Sequence, residues 1–140
     1  MGAFPVGLSP AIDLLEIVTA RAPQVDCPTV HRFGGGVYIR ETSAPAGTLV
    51  TTKIHLTEHP FMVLKGDVSV WTEDGGVVRI QAPFCGVTKS GTRRVAYTHE
   101  DTVWLTFHAT DDTDVGRIER TLFLDYDHGG LRLEAAMGAS

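Results

Sequence analysis

The sequence predicts a single all-β domain, a sandwich or closed barrel, with one helix before the strands and one after them. Between residues 37 and 109, short stretches of β-favouring residues recur at regular spacing, with no helical segment between them. Turn-forming residues separate these stretches. The length of 140 residues, with 43% hydrophobic and 21% charged residues, is typical of one ordered globular domain.

The N-terminal part of the chain predicts a helix over residues 9–20. Ser9 is a favourable N-cap and Pro10 suits the first helical position. The apolar residues that follow share one helical face: Ala11, Leu14, Leu15 and Val18. Pro23 ends the helix, because proline disfavours helical geometry in the residue before it. Residues 24–36 are predicted to be a connector ending in a flexible triple-glycine joint, so residues 1–36 form an N-terminal helix and arm.

The barrel is predicted over residues 37–110. Its strands are expected at residues 37–42, 48–55, 61–65, 67–72, 77–81, 84–88, 93–98 and 102–109. The segment Glu73-Asp74-Gly75-Gly76 is a strong hairpin signal between two of them. The last two strands are expected to form another hairpin through residues 99–101, which would place residue 96 opposite residue 104.

Residues 111–140 predict a short helix and a tail. Asp112 or Thr113 can cap the helix, and its apolar face would carry Val115, Ile118 and Leu122. The tail is too apolar to be a solvated end. Both this tail and the N-terminal helix either fold back on the barrel or dock on neighbouring chains, and the sequence leaves the two alternatives open.

Composition excludes several classes of function. The formal net charge of −5 disfavours nucleic-acid binding, which needs clustered basic residues. The apolar stretches are far shorter than the about 20 residues of a membrane span. The N-terminal segment carries Asp13 and Glu16 rather than a basic signal-peptide region. We expect no nucleic-acid partner, no membrane partner and no secretion by signal peptide. Cys27 and Cys85 are expected to be unpaired thiols.

His55 and His59 lie in an informative frame. From Gly47 the chain runs through five residues to Lys53, one more to His55, three more to His59 and six more to Gly66. This frame resembles the first signature of the cupin superfamily: Gly, five residues, His-x-His, three or four residues, Glu, six residues, Gly. Lys53 stands where that signature has its first His, and His59 where it has its Glu. The resemblance implies a jelly-roll β-barrel whose signature residues point inward.

A histidine pair on neighbouring strands suits a divalent transition metal such as Zn, Fe, Ni or Mn. Two imidazoles alone are usually insufficient, so a third ligand is needed. His108 is predicted to supply it, because the expected last hairpin places it on the same face as Arg94. Glu58 is an alternative replacement for the missing carboxylate. The predicted metal ligands are therefore His55, His59 and His108, and the alternative is a site without metal.

The second cupin signature is eroded in this sequence. Gly91 fits its second glycine, but Lys89 stands for its proline and Arg94 for its metal-binding His. Arg94 cannot ligate a metal, because a guanidinium has no free lone pair. If Arg94 and Lys53 face inward, the pocket is cationic and suits a carboxylate or phosphate oxygen, with Trp104 as a stacking wall. Alternatively, the two cations are solvated and the tryptophan packs in the core.

Residues 37–120 also resemble a group of small cupins encoded by bacteriophages and prophages. The resembling stretches are YIRETSAPAGTLV, KGDVSVWTEDG and SGTRRVAYTHEDTVWLTFHAT. The resemblance implies a non-enzymatic, homo-oligomeric virion structural or accessory protein with a vestigial metal site and other virion proteins as partners. It places the protein in the host cytoplasm during production and then in the virion.

Two other functions stay open. One is a metal-dependent enzyme of the oxygenase, isomerase or lyase type, acting on a small anionic substrate that Lys53 or Arg94 holds. The other is a metal-free cupin that binds a sugar or nucleotide sugar in a cationic pocket. The neighbours of His55 in the fold decide between these functions.

Overall fold

The strands form two antiparallel sheets with the core between them. The computed structural model describes residues 9–124. Its strands are β1 (Thr29–Gly34), β2 (Val37–Ala44), β3 (Leu49–Thr51), β4 (His59–Lys65), β5 (Asp67–Thr72), β6 (Gly76–Gln81), β7 (Phe84–Thr88), β8 (Val95–Thr98) and β9 (Thr102–Ala109). One sheet has the order β1-β2-β9-β4-β7 and the other β3-β8-β5-β6. Two helices, α1 (Pro10–Thr19) and α2 (Val115–Leu122), flank the strands. The predicted all-β jelly roll is confirmed.

The hydrophobic core joins the inner faces of both sheets. Phe61 and Val63 of β4 pack against Val68 and Val70 of β5 and Ile80 of β6. These residues recur at every second position because successive side chains of a strand point to opposite faces. The period-two pattern therefore decides which residues of each strand face the interior.

Most connections after β2 cross from one sheet to the other. β8 pairs with β3 and β5, whereas β9 pairs with β2 and β4. The predicted hairpin through residues 99–101 is therefore wrong, since that segment passes between sheets. The hairpin at residues 73–76 is confirmed, with Thr72 opposite Gly76. Turn residues mark where a strand ends, but they do not say which sheet the next strand joins.

The predicted connector over residues 24–36 is wrong in its second half. Residues 29–34 form β1, which pairs with β2 from Thr29↔Thr42 to Gly34↔Val37. Gly35 and Gly36 have φ angles of 58° and 78°, as a two-residue hairpin turn with the strands' own twist requires. The glycines predicted as a flexible joint thus make a tight turn.

The described part of the N-terminal arm folds back on its own barrel. As predicted, Ser9 caps α1: its side chain accepts a hydrogen bond from the Ile12 amide at 3.2 Å. The Arg93 guanidinium then joins the helix to the barrel by donating to Asp13 at 2.6 Å and to Glu16 at 2.7 Å. Arg93 and Asp13 are both buried. The predicted apolar face is not docked, since Leu14 and Val18 are 39% and 47% exposed. Ile12, which is fully buried, and the ion network fix the helix instead.

The C-terminal helix is confirmed, with a different cap. Asp114 caps α2 by accepting from the Arg117 amide at 2.9 Å, in place of the predicted residue 112 or 113. Ile118 and Leu122 form a cluster with Tyr38 of β2. The apolar face of α2 is therefore covered by the barrel itself.

The chain leaves α2 beside the segment that carries His55. The Leu56 amide donates to the Leu122 carbonyl at 2.7 Å, and the Leu124 amide donates to the Ile54 carbonyl at 2.9 Å. Most of the predicted apolar tail lies outside the described residues. Within residues 9–124, neither helix has the length and apolar character needed to cross a membrane.

Candidate functional site

A cavity of about 340 Å³ lies between the two sheets. This volume is at the lower end of the about 300 to 1,000 Å³ found for small-molecule sites. All six residues predicted for the site lie on its wall: Lys53, His55, His59, Arg94, Trp104 and His108. The structure thus brings the six side chains together, while their roles in binding stay predictions.

The six residues meet across the barrel rather than along one strand pair. Arg94 precedes β8 in one sheet, whereas Trp104 and His108 belong to β9 in the other. His55 lies outside the strands at an isolated bridge to Phe123, and His59 begins β4. The predicted strand over residues 48–55 is therefore too long, since β3 ends at residue 51. The residues converge because the inner faces of both sheets share one interior.

Three imidazoles form a buried row on the cavity wall. The ring centroids of His55 and His59 are 5.2 Å apart, and those of His59 and His108 are 4.4 Å apart. Their side chains belong to residues only 7%, 3% and 3% exposed, respectively. The interior location predicted for the two signature histidines is therefore correct.

Backbone carbonyls fix the tautomers of two of these rings. His55 Nδ1 lies 2.8 Å from the Thr92 carbonyl oxygen, and His59 Nδ1 lies 3.0 Å from the Thr57 carbonyl oxygen. A carbonyl oxygen only accepts, so each Nδ1 carries the hydrogen. In the neutral ring, Nε2 then keeps a free lone pair, which is the arrangement usual for metal-ligating histidines.

Two ring nitrogens in the row have no hydrogen-bond partner in the described part of the chain. They are His59 Nε2 and His108 Nδ1, and both are buried. The other nitrogen of His108, Nε2, lies 2.9 Å from Thr106 Oγ1. A buried polar atom without a partner is unfavourable, so each of these nitrogens needs a partner such as a water molecule or a metal ion.

Burial keeps the row uncharged at neutral pH. Desolvation, with the nearby charges as a smaller cause, lowers the pKa of His55 to about 4 and that of His108 to about 3. Desolvation also lowers the pKa of His59, and the Arg94 charge adds to this effect. The imidazoles are therefore neutral at pH 7, and neutral imidazole is the form that binds metals.

The metal-free protein is expected to lose stability as the pH falls from about 6.5 to about 4. The unfolded chain takes up protons on these histidines first, because their folded-state pKa values are lowered. The free energy of unfolding therefore has its full value above the pKa of the histidines in the unfolded chain. The loss that His55 alone causes is roughly 3 kcal/mol. Urea denaturation of chelator-treated protein at several pH values measures this loss. A free energy of unfolding that stays constant across this pH window would contradict the neutral state of the three buried imidazoles. His99→Ala, a change of an exposed histidine, is the control and should leave the loss of stability unchanged.

The donor set fits a metal by its chemistry. Within residues 9–124, no three His, Cys, Asp or Glu side chains form a ready-made metal-binding group. Yet the row offers neutral imidazoles, two of them oriented by carbonyls, and two buried nitrogens without partners. These are properties of a divalent transition-metal site. Glu58, the alternative ligand, is exposed and does not line the cavity.

Solved structures share this architecture. A Klebsiella pneumoniae protein with a double-stranded β-helix domain matches with a TM-score of 0.53 and 15% identity, over 72% of this chain and 90% of that chain. A cupin superfamily protein from Desulfitobacterium hafniense matches with a TM-score of 0.51 and 11% identity, over 79% of this chain and 92% of that chain. The chain has the cupin fold.

A cupin-fold neighbour of known activity is a DMSP lyase from Ruegeria pomeroyi. It matches with a TM-score of 0.53 and 16% identity, over 63% of this chain and 49% of that chain. No protein-family model matches the sequence, and no curated protein matches it either. At these identities the similarity establishes the fold of the chain and does not establish its activity.

The cations of the cupin cavity have different partners. Arg94 lies against a stacked aromatic pair, with its guanidinium carbon 5.2 Å from the Phe61 ring centroid and 5.9 Å from that of Trp104. Its Nη1 donates to Thr88 Oγ1 at 2.9 Å. Lys53 Nζ lies 5.9 Å from the Phe123 ring centroid. Both predicted cations thus line the cavity, and Trp104 lies beside the Arg94 guanidinium. The predicted binding of an anion by these residues stays a prediction.

Sequence reasoning missed three charged or aromatic residues of the cavity wall, Arg40, Glu119 and Phe123. Arg40 pairs with Glu119 at 3.5 Å. The alternation of β2 offers a signal for Arg40, because it shares the inner face with buried Tyr38. Glu119 and Phe123 reach the cavity through the docking of α2 on the barrel, and that contact leaves no local pattern in the sequence.

Proposed function

We propose that this cupin binds one divalent transition metal through His55, His59 and His108 and acts as a metal-dependent enzyme on a small anionic molecule. The observation that carries the proposal is the chemical state of the row: three neutral imidazoles, two of them with fixed tautomers, and two buried nitrogens without a partner in the described residues. Zn, Fe, Ni and Mn all accept such ligands. A purely structural barrel has no evident use for three buried imidazoles beside an arginine.

The chain's own residues would prepare a substrate for reaction. A bound metal would supply Lewis-acid activation of a ligand oxygen or of water. Arg94 would hold the negative charge of the substrate, while the cavity wall would exclude bulk water and strengthen each polar contact. The carbonyls of Thr57 and Thr92 would keep His59 and His55 in one orientation. The lyase among the structural neighbours supports catalysis as a use of this fold.

Metal content tests the proposal. Protein purified without chelator and supplied with Zn²⁺ or Mn²⁺ is expected to retain about one ion per chain after dialysis. His55→Ala and His59→Ala are expected to lower the affinity at least tenfold, since even outer-shell changes cost this much. His99→Ala is the matched control, because His99 is exposed and bonds to Ser69 away from the cavity. Metal far below one equivalent, or metal unchanged in His55→Ala, would overturn the proposal.

The virion role is a second expectation with less support. It depends in part on terminal apolar segments that lack a partner. The barrel covers the apolar face of α2, so that helix no longer supports the role. On α1, Leu14 and Val18 stay 39% and 47% exposed and remain in its favour. The homo-oligomer, the virion partners and the phage context stay predictions, and native mass spectrometry measures the first of them directly.

A further inference from the structure

We infer that the anion is a monocarboxylate with a short apolar body, and that Arg94 binds its carboxylate group. The inference deepens the proposed function and rests on it for the reaction, but the binding step stands on separate observations. Those observations are a guanidinium with no counter-charge among the described residues, its unused N–H donors and the largely apolar remainder of the cavity.

Arg94 is a largely buried cation without an acidic partner. Among residues 9–124, no carboxylate forms an ion pair with it, and its side-chain hydrogen bond goes to the neutral Thr88 hydroxyl. Arg40, the other arginine on the wall, is already paired with Glu119. Burial lowers the pKa of Arg94, which reflects the cost of desolvating the charge. An anion in the cavity would remove this cost, because buried charges in proteins are normally paired.

The surroundings of the Arg94 guanidinium favour a carboxylate as its ligand. Its guanidinium lies against the stacked rings of Phe61 and Trp104. Among the described residues, one side-chain contact, to Thr88, uses its five N–H donors. A planar guanidinium offers paired donors that match the two oxygens of a carboxylate. A phosphate ester would bring up to two charges and three acceptor oxygens. Lys53, another cation on the cavity wall, is exposed.

The rest of the wall favours a largely apolar body. Away from the histidines, the lining includes Ala44, Val50, Val68 and Ala96 together with six threonines, whose methyl groups add apolar surface. An inorganic anion or acetate would leave this surface wet, whereas a short alkyl chain or a ring would displace water from it. The volume of about 340 Å³ limits that body to a small one. The site therefore selects for charge at one end of the ligand and for hydrophobic bulk at the other.

Calorimetric titration tests the inference on metal-loaded and on chelator-treated protein. The probes are acetate, butyrate, benzoate, butyl phosphate and butyramide, the neutral counterpart of butyrate. Butyrate and benzoate are expected to bind more tightly than acetate, and butyramide at least tenfold more weakly than butyrate.

Arg94→Met is expected to weaken butyrate binding about 10- to 100-fold in both forms, as a charge-assisted bond of this kind implies. Metal content should stay unchanged. Arg32→Met, an exposed arginine on β1, is the control.

Three results would overturn the inference: equal binding of butyrate and butyramide, tighter binding of butyl phosphate, or undiminished butyrate binding in Arg94→Met. The two proposals fail separately. Carboxylate binding without retained metal would leave the inference standing and remove the proposed enzyme. Retained metal without carboxylate binding in either form would remove the inference alone.

Discussion

Arg93→Met is expected to lower the free energy of unfolding by about 3 to 5 kcal/mol, as is typical when one partner of a buried ion network is removed. The Arg93 side chain is 3% exposed and that of Asp13 is 5% exposed. Methionine fills much of the volume but leaves the Asp13 carboxylate buried without the guanidinium. Because this network joins α1 to the barrel, proteolysis should also cut the helix more readily in the variant.

Denaturation in urea measures the effect, and Arg32→Met is a matched control. The Arg32–Glu41 pair on the surface has a 3.0 Å distance, but its arginine is 52% exposed. Exposed pairs contribute about 0 to 1 kcal/mol, so the control should remain close to the unchanged protein. Equal stability of the two variants would show that α1 is held by its apolar contacts and not by the ion network.

Gly66→Ala is expected to cost about 2 to 5 kcal/mol, the sum of a strained backbone and an overpacked contact. Gly66 lies between β4 and β5, where the chain crosses from one sheet to the other, and its φ is 108°. A Cβ atom there would lie 2.7 Å from both the Asp101 carbonyl oxygen and the Thr102 Cα. These atoms belong to the backbone, so they cannot move aside cheaply.

Gly34→Ala is the control that separates the effect of replacing Gly66 from the general effect of replacing a glycine. A Cβ at Gly34 meets no atom within 4 Å, and its backbone is not in the left-handed region. The change there should alter stability by less than about 0.5 kcal/mol. The stability of both variants is measured by thermal and urea denaturation. Comparable losses of stability in the two would contradict the close backbone contact at Gly66.

The local features of the fold were predictable, and the long-range ones were not. The N-cap at Ser9, the turn at residues 73–76 and the extents of β7 and β9 follow from propensity and periodicity. The pairing partners of β8 and β9 depend on contacts between distant segments, so the expected hairpin was wrong. β1 was missed because its sequence, TVHRFG, has little apolar alternation.

The site residues were predictable for a related reason. Spacing places His55 and His59 toward the interior, and the jelly roll has one interior whichever strands pair. His108 and Arg94 therefore reach the cavity although the hairpin expected to join them does not form. Glu119 was beyond prediction, because its position depends on how α2 docks.

The central claim is that His55, His59 and His108 act as one ligand set, and pulsed electron paramagnetic resonance of the Cu²⁺-loaded protein tests it most directly. The spectrum detects coupling between the Cu²⁺ ion and the remote ring nitrogen of each imidazole that binds it. We predict coupling to three imidazoles, reduced in His59→Ala and in His108→Ala and unchanged in His99→Ala. A spectrum without coupled imidazole, or one that His59→Ala leaves unaltered, would contradict the account.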